Sequence, residues 1–127
     1  MSKNNFQLSV LLFSVLIIVS CHSKKNPELV LSVENYDFGN VRKDSIYKGN
    51  VIITNSGNAP LIIDNINPGC GCTSVSVTKN IIPPKDTCLL NFSYNTHKKK
   101  GIQENFITLI ANTDSLVHIL QINAYVE

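Results

Sequence analysis

From Leu29 onward, apolar and polar residues alternate in short segments that turn-forming residues separate. In CLLNFSYN, Cys88, Leu90, Phe92 and Tyr94 fall on one face, because successive side chains of a strand point to opposite sides of the sheet. No segment of this part keeps a helical period of 3.6 residues over about three turns. About seven short strands with turn signals at roughly ten-residue spacing predict an all-β chain folded as an antiparallel β-sandwich, with a small barrel as the competing architecture.

Turn-forming residues indicate where the predicted strands end. The strongest turn signal is the cluster from Asn55 to Pro60. Pro83 and Pro84 exclude a central strand around them, because proline donates no hydrogen bond to a neighbouring strand. The predicted strands are, in chain order, LVLSVENYDFG, SIYKGNVIITN, LIIDNI, CTSVSV, CLLNFSYN, IQENFITLIAN and LVHILQINAYV.

The first residues have the pattern of a secretory signal. Lys3 gives a positive start, and the segment from Leu8 to Val19 is apolar except for two serines. As a helix this segment would be about 18 Å long at ~1.5 Å per residue, which is too short for the roughly 30 Å core of a bilayer. A charged start, a short apolar stretch and small residues after it predict a cleaved leader.

The last three residues of the leader and the cysteine after them read IVSC, which resembles the bacterial lipobox. The resemblance implies cleavage before Cys21 and attachment of lipid to that cysteine, so that acyl chains anchor the protein to a membrane. The predicted organisation is a lipoprotein signal peptide over residues 1–20, a lipidated cysteine and polar tether over 21–28, and the sandwich over 29–127. His22 stands where inner-membrane lipoproteins carry aspartate, so the same resemblance implies an outer-membrane location facing the periplasm.

The net charge of the chain argues against some classes of partner. The formal charge is +2, and removal of Lys3 with the leader leaves +1. A chain this close to neutral has no overall field that favours nucleic acid or an anionic membrane. The single charge run, HKKKG from His97 to Gly101, is interpreted as a solvated turn, with an anion-binding patch as the alternative.

Four stretches, in the same order along the chain, resemble one bacterial family. They are YDFGNV, ITNSGNAPLII, GCGCTSV and FSYNTHKKKG, and the resemblance extends from about Ser32 to the end. The family is the domain of unknown function 1573, whose members are secreted or lipid-anchored. The resemblance implies an immunoglobulin-like sandwich of the Hydin and major sperm protein type, and it implies no enzymatic activity.

Three cysteines follow Cys21, and thiols outside the cytoplasm tend to pair. A Cys70–Cys72 bond would need a local bend, because residues two apart in a strand lie about 6.6 Å apart and disulfides prefer about 5.5–6 Å between Cα atoms. A bond from either residue to Cys88 is more relaxed, and a bridge between sheets at Cys88 would resemble the immunoglobulin arrangement. We therefore expect a disulfide between Cys72 and Cys88, which leaves Cys70 over.

Cys70 and Cys72 also support a metal or redox hypothesis. Two thiolates can bind copper(I), although their spacing matches no standard zinc motif. A C-x-C sequence ahead of a strand lacks the helix that activates thioredoxin-like pairs. A hydrolase built on Cys88 and His97 is disfavoured, because Cys88 faces the predicted core, where thiols are inert.

The sequence thus predicts a non-catalytic module without a cofactor. No pair of carboxylates has a spacing that indicates acid–base catalysis, and no glycine-rich loop precedes a helix to hold phosphate. The expected function is binding or organisation within the bacterial envelope, through the lipid on Cys21 and an envelope protein partner, and not through nucleic acid. The alternative is a periplasmic copper- or thiol-dependent protein that uses Cys70 and Cys72.

Overall fold

The described part of the chain folds into nine β-strands. The computed structural model describes residues 20–127, and within them there is no helix that could cross a membrane. The strands are β1 (Leu29–Leu31), β2 (Asn35–Val41), β3 (Ile46–Asn55), β4 (Leu61–Pro68), β5 (Thr73–Val77), β6 (Ile81–Ile82), β7 (Thr87–Asn95), β8 (Gly101–Ala111) and β9 (Val117–Val126).

The strands form two sheets that face each other. Sheet A has four strands in the order β1-β3-β7-β5, and sheet B has five in the order β2-β9-β8-β4-β6. The longest ladders are antiparallel, with nine residue pairs between β3 and β7 and ten between β8 and β9. The predicted all-β, immunoglobulin-like antiparallel sandwich is confirmed, with nine strands rather than about seven.

The core lies between the sheets and consists of the inward side chains of each strand. Larger apolar side chains contribute about 1.5–3 kcal/mol each when they are buried, so the alternation of the sequence selects one register for each strand. The buried residues of β7 and β9 are those that the alternation puts on one face, namely Cys88, Leu90, Phe92 and Tyr94 on β7 and Leu120, Ile122, Ala124 and Val126 on β9.

The amino-terminal strands differ from the prediction in two ways. The segment LVLSVENYDFG, expected as one strand, divides into β1 at the edge of sheet A and β2 at the edge of sheet B. Strand β2 then pairs parallel to β9, whereas the other pairs are antiparallel. The division lets Leu29 enter the core from one sheet while Tyr36 and Phe38 pack against it from the other.

Residues 24–28, predicted as part of the polar tether, are bound to the turn between β3 and β4. The Asn26 N–H donates to Asn58 Oδ1 at 2.8 Å, and the Asn58 N–H donates to the Asn26 carbonyl at 3.0 Å. Gly57 permits this close approach, because a Cβ atom there would collide with the backbone of the bound segment. The bound segment brings Cys21 within three residues of the folded domain.

Candidate functional site

Cys21, the residue predicted to carry lipid, lies at the start of the described part of the chain. Its thiol is free and exposed. The predicted leader, residues 1–20, falls outside the described residues except for Ser20. Lipidation of Cys21 therefore stays a prediction.

The GCGC turn carries the chain from β4 in sheet B to β5 in sheet A. Cys70 and Cys72 are joined by a disulfide, with 5.1 Å between their Cα atoms. The bend that this bond requires is held by the Thr73 N–H, which donates to the Cys70 carbonyl at 3.1 Å. The Cys72 N–H donates to Cys70 Sγ, also at 3.1 Å. Gly71 at the tip has no neighbouring atom where a Cβ would sit, so the turn projects into open space.

The predicted disulfide between Cys72 and Cys88 is wrong, and the register of β5 on β7 explains why. The Asn95 N–H donates to the Cys72 carbonyl at 2.8 Å, so Cys72 lies beside the last residue of β7. Cys88 lies near the opposite end of β7, where it faces Ile53 of β3. Seven residues of strand separate Asn95 from Cys88, which is about 23 Å at ~3.3 Å per residue.

The disulfide rests against the smaller part of the core. Cys72 and Phe38 both pack against a buried cluster that includes Tyr94, and the Cys72 sulfur lies 3.9 Å from Asn105 Oδ1. Because the two sulfurs are bonded to each other, a copper(I) site at this turn would need prior reduction. Within residues 20–127, no group of three or more His, Cys, Asp and Glu side chains could hold a metal ion.

Cys88 and His97 are not brought together. Cys88 is only 4% exposed, and burial raises the pKa of its thiol above the ordinary value of 9.0. His97 lies beyond the other end of β7, where its Nδ1 is 2.8 Å from Asp44 Oδ1 on the surface. A protonated, buried thiol without an adjacent base is a poor nucleophile.

One edge of the sandwich, at β5, is open along its length. Strand β5 is hydrogen-bonded to β7 on one side, and no strand of residues 20–127 pairs with its other side. The Cys72 carbonyl and the Thr78 N–H point towards β7. Since the direction of backbone groups alternates along a strand, Val75 and Val77 direct their N–H and C=O groups away from the sheet.

The other sheet edges are less suited to pairing with a new strand. Strands β1 and β6 have three and two residues, and β2 has an irregular register between Asp37 and Asn40. Short strands and bulges are the devices by which proteins protect an edge, together with charged residues and proline. Strand β5 has five residues, TSVSV, with no charge, proline or bulge. The sequence did not reveal this edge, because the position of a strand in its sheet depends on the fold of the whole chain.

The comparisons with known proteins agree with this architecture. The sequence profile of a family described as "Protein of unknown function (DUF1573)" matches residues 29–126. The chain belongs to this family. No curated protein sequence matches the DUF1573 chain.

Solved structures with the same fold come from bacteria and from human cells. A protein of unknown function from Porphyromonas gingivalis W83 superposes on the DUF1573 chain with a TM-score of 0.72 and 16% identity, over 86% of this chain and 51% of the other. The chain thus spans about half the length of that protein. The PapD-like domain 7 of human CEP192 superposes with a TM-score of 0.64 and 9% identity, over 89% of this chain and 95% of that domain. The VesB protease of Vibrio cholerae superposes with a TM-score of 0.60 and 13% identity, over 78% of this chain but only 31% of the protease. At these identities the likeness concerns the fold alone.

Proposed function

We propose that this protein is a lipid-anchored, non-catalytic binding module of the bacterial envelope, which takes up an extended segment of a partner protein along β5. The lipid on Cys21 would hold it at the outer membrane, facing the periplasm. The observation that carries the proposal is the open edge at β5, whose outward backbone groups match those of an added strand.

The surroundings of β5 suit a partner strand of alternating character. Val75 and Val77 point towards the core but are only half-buried, so apolar side chains of an added strand would extend the core beside them. Ser74 and Ser76 lie on the exposed outer face, where the added strand would present polar side chains. The backbone supplies affinity in this mode, and the pattern of side chains supplies specificity.

A proline at position 75 tests the edge. Val75→Pro removes the outward N–H and leaves the bonds to β7, because those come from the neighbouring residues. The matched control is Val75→Ala, which removes more of the side chain but keeps the N–H. Each variant is expressed as the full chain in its bacterium, cross-linked, purified and compared by quantitative mass spectrometry.

We expect one envelope protein to be recovered with the wild type and with Val75→Ala and to be lost with Val75→Pro. Equal recovery with all three would overturn the proposed edge. The anchor is tested separately, by metabolic labelling with an alkyne fatty acid. Label is expected on the wild type and not on Cys21→Ser, and label on neither would overturn the anchor.

A second candidate uses the Cys70–Cys72 pair as a thiol or copper site. The observation that favours it is that both bonded cysteines are only half-buried, at a projecting turn; exposed disulfides are the more easily reduced ones. Two equivalents of a thiol reductant would open the bond, giving two protein thiols and the oxidised disulfide of the reductant. The test is copper(I) titration of the reduced wild type, of Cys88→Ser as the control, and of Cys70→Ser/Cys72→Ser as the disabled form. Equal uptake by wild type and the disabled form would exclude it.

A further inference from the structure

Two turns far apart in the sequence place five basic side chains at one end of the sandwich. Arg42 and Lys43 follow β2, and Lys98, Lys99 and Lys100 follow β7. We call these five residues the basic pole. The run HKKKG was visible in the sequence, but its neighbour was not, because the two turns are more than fifty positions apart.

Thr96 holds the two turns together. Its buried hydroxyl donates to the Arg42 carbonyl at 2.7 Å and accepts from the Ser45 N–H at 2.9 Å. Asp44 joins the turns a second time, through His97 at 2.8 Å and the Lys98 N–H at 3.4 Å. The five basic residues are therefore held on one surface.

The basic pole makes the molecule electrically asymmetric. Its five basic side chains are accompanied by Asp44 and by Glu127, whose backbone N–H donates to the Val41 carbonyl beside the pole. Lys48 is two residues from the start of β3 at this end, and Asp37 and Glu104 line a groove of sheet B beside it. This end of the molecule thus has six basic and four acidic side chains, about +2, and the rest of residues 21–127 has four basic and five acidic ones, about −1. A local field of this kind can attract an anionic partner that the net charge does not predict.

Large apolar side chains surround the basic pole on both outer faces of the sandwich. Ile46, on sheet A, is 64% exposed, and Ile102 and Tyr125, paired on sheet B, are 78% and 49% exposed. Basic residues that attract anionic headgroups, beside aliphatic side chains and an interfacial tyrosine, are the combination that binds a membrane surface. An acidic protein segment would be attracted by the charges but would not need three exposed apolar residues around them.

We infer that the basic pole is a docking surface for an anionic lipid bilayer, with Ile46, Ile102 and Tyr125 entering the headgroup region. This surface does not depend on the proposed lipid anchor or on β5. Each lysine near an anionic surface contributes about fivefold in affinity at ordinary salt, and the attraction weakens as salt screens it.

The test uses residues 21–127 with Cys21→Ser, which include both sheets and the whole core but carry no acyl chain. Binding is measured by co-sedimentation with vesicles of phosphatidylglycerol and phosphatidylethanolamine, and with phosphatidylcholine vesicles. Lys98→Gln/Lys100→Gln removes two charges from the pole, and Lys24→Gln/Lys25→Gln removes two at the opposite end. Ile102→Ser is compared with Ile119→Ser, an exposed isoleucine on the same face but away from the pole.

We expect the protein to bind the anionic vesicles and not the phosphatidylcholine vesicles. Compared with the parent, Lys98→Gln/Lys100→Gln should weaken binding roughly 25-fold, and Ile102→Ser should also weaken it. The two control variants, Lys24→Gln/Lys25→Gln and Ile119→Ser, should bind as the parent does. Absence of binding to anionic vesicles, or equal effects at both ends of the molecule, would overturn the inference. Binding to polyglutamate without binding to vesicles would also overturn it, in favour of an acidic protein partner.

Discussion

The three cysteines of the folded domain differ because of where the strand register places them. Cys88 is the first inward residue of β7 and lies in the core opposite Ile53. Cys70 and Cys72 lie in the turn that crosses between the sheets, where a bend brings their Cα atoms within bonding reach. The chain could not join Cys72 to Cys88 without giving up the pairing of β5 with β7, and that pairing buries Val75 and Val77 against the core.

The short Cys70–Cys72 loop predicts a modest contribution to stability. By the chain-entropy relation a loop of three residues gives about 1.6 kcal/mol, against about 3 kcal/mol for the loop that a Cys72–Cys88 bond would close. Urea unfolding of Cys70→Ser/Cys72→Ser should therefore show a loss of about 1–2 kcal/mol. Thiols are also counted in the unfolded, unreduced wild type, from which cleavage before residue 22 has removed Cys21. One titratable thiol is expected, that of Cys88. A count of one thiol that maps to Cys70 would contradict the assigned bond.

Burial of Cys88 and Tyr94 predicts that stability falls at alkaline pH. Burial raises the pKa of the Cys88 thiol above 9.0 and that of the Tyr94 hydroxyl above 10.0. Both groups keep their protons in the folded state, whereas the unfolded chain releases them near the ordinary values, so stability is full below about pH 9 and decreases as pH rises further. Denaturation between pH 7 and 11 should show a smaller decrease for Cys88→Ala than for the wild type. Parallel curves would mean that the thiol makes no contribution.

At the scale of elements, a single buried side chain joins β3, the tether and β6. Asn55 ends β3 with no exposed surface. Its Nδ2 donates to the carbonyls of Ala59 and Ile82 at 2.8 and 2.9 Å. Its Oδ1 accepts from the N–H of Gly57 at 3.0 Å and from the N–H of Glu28, in the tether, at 3.3 Å. The turn that the sequence marked with Asn, Ser, Gly and Pro is thus also the point where two further segments attach.

Asn55→Ala should destabilise the fold by about 2–4 kcal/mol, because it leaves buried carbonyls and an N–H without partners at about 1–3 kcal/mol each. The matched control is Asn50→Ala, on the exposed face of the same strand, for which we expect a change within about 0.5 kcal/mol. Both are measured by urea unfolding. Similar losses for the two variants would show that the hydrogen bonds of Asn55 contribute little.

Most elements could be predicted from the sequence, since their apolar residues alternate and turn-forming residues bound them. Strands β3, β4, β5, β7, β8 and β9 lie within two residues of their predicted ends. The division of the first segment could not be predicted, because LVLSVENYDFG contains no proline or glycine before Gly39, and the break at Ser32 depends on which sheet each half completes. The open edge at β5 is likewise a property of strand order, which local alternation does not encode.

At the scale of the whole molecule, the bound tether and the basic pole lie at opposite ends. Strand β3 begins at Ile46 beside the basic turns and ends at Asn55 beside the tether, nine residues further on and about 30 Å away. The near-neutral net charge predicted no electrostatic attraction to a membrane. Acidic residues elsewhere in the chain cancel the charge of the basic pole in the net charge, but they do not neutralise it locally because they lie away from it. With the proposed lipid on Cys21, the basic pole would face away from the leaflet that holds the anchor.

This arrangement predicts that the lipidated protein joins two membranes. Only residues 21–23 separate the lipid from the bound tether, a reach of about 10 Å, so a domain that stands upright on the anchored leaflet would hold the basic pole about 30 Å beyond the tether. Lipidated protein in phosphatidylcholine vesicles should cluster added phosphatidylglycerol vesicles, measured as energy transfer between labelled lipids. Cys21→Ser should abolish clustering, Lys98→Gln/Lys100→Gln should weaken it strongly, and Lys24→Gln/Lys25→Gln should leave it intact. Vesicle binding without clustering would show that the anchor and the basic pole contact the same bilayer.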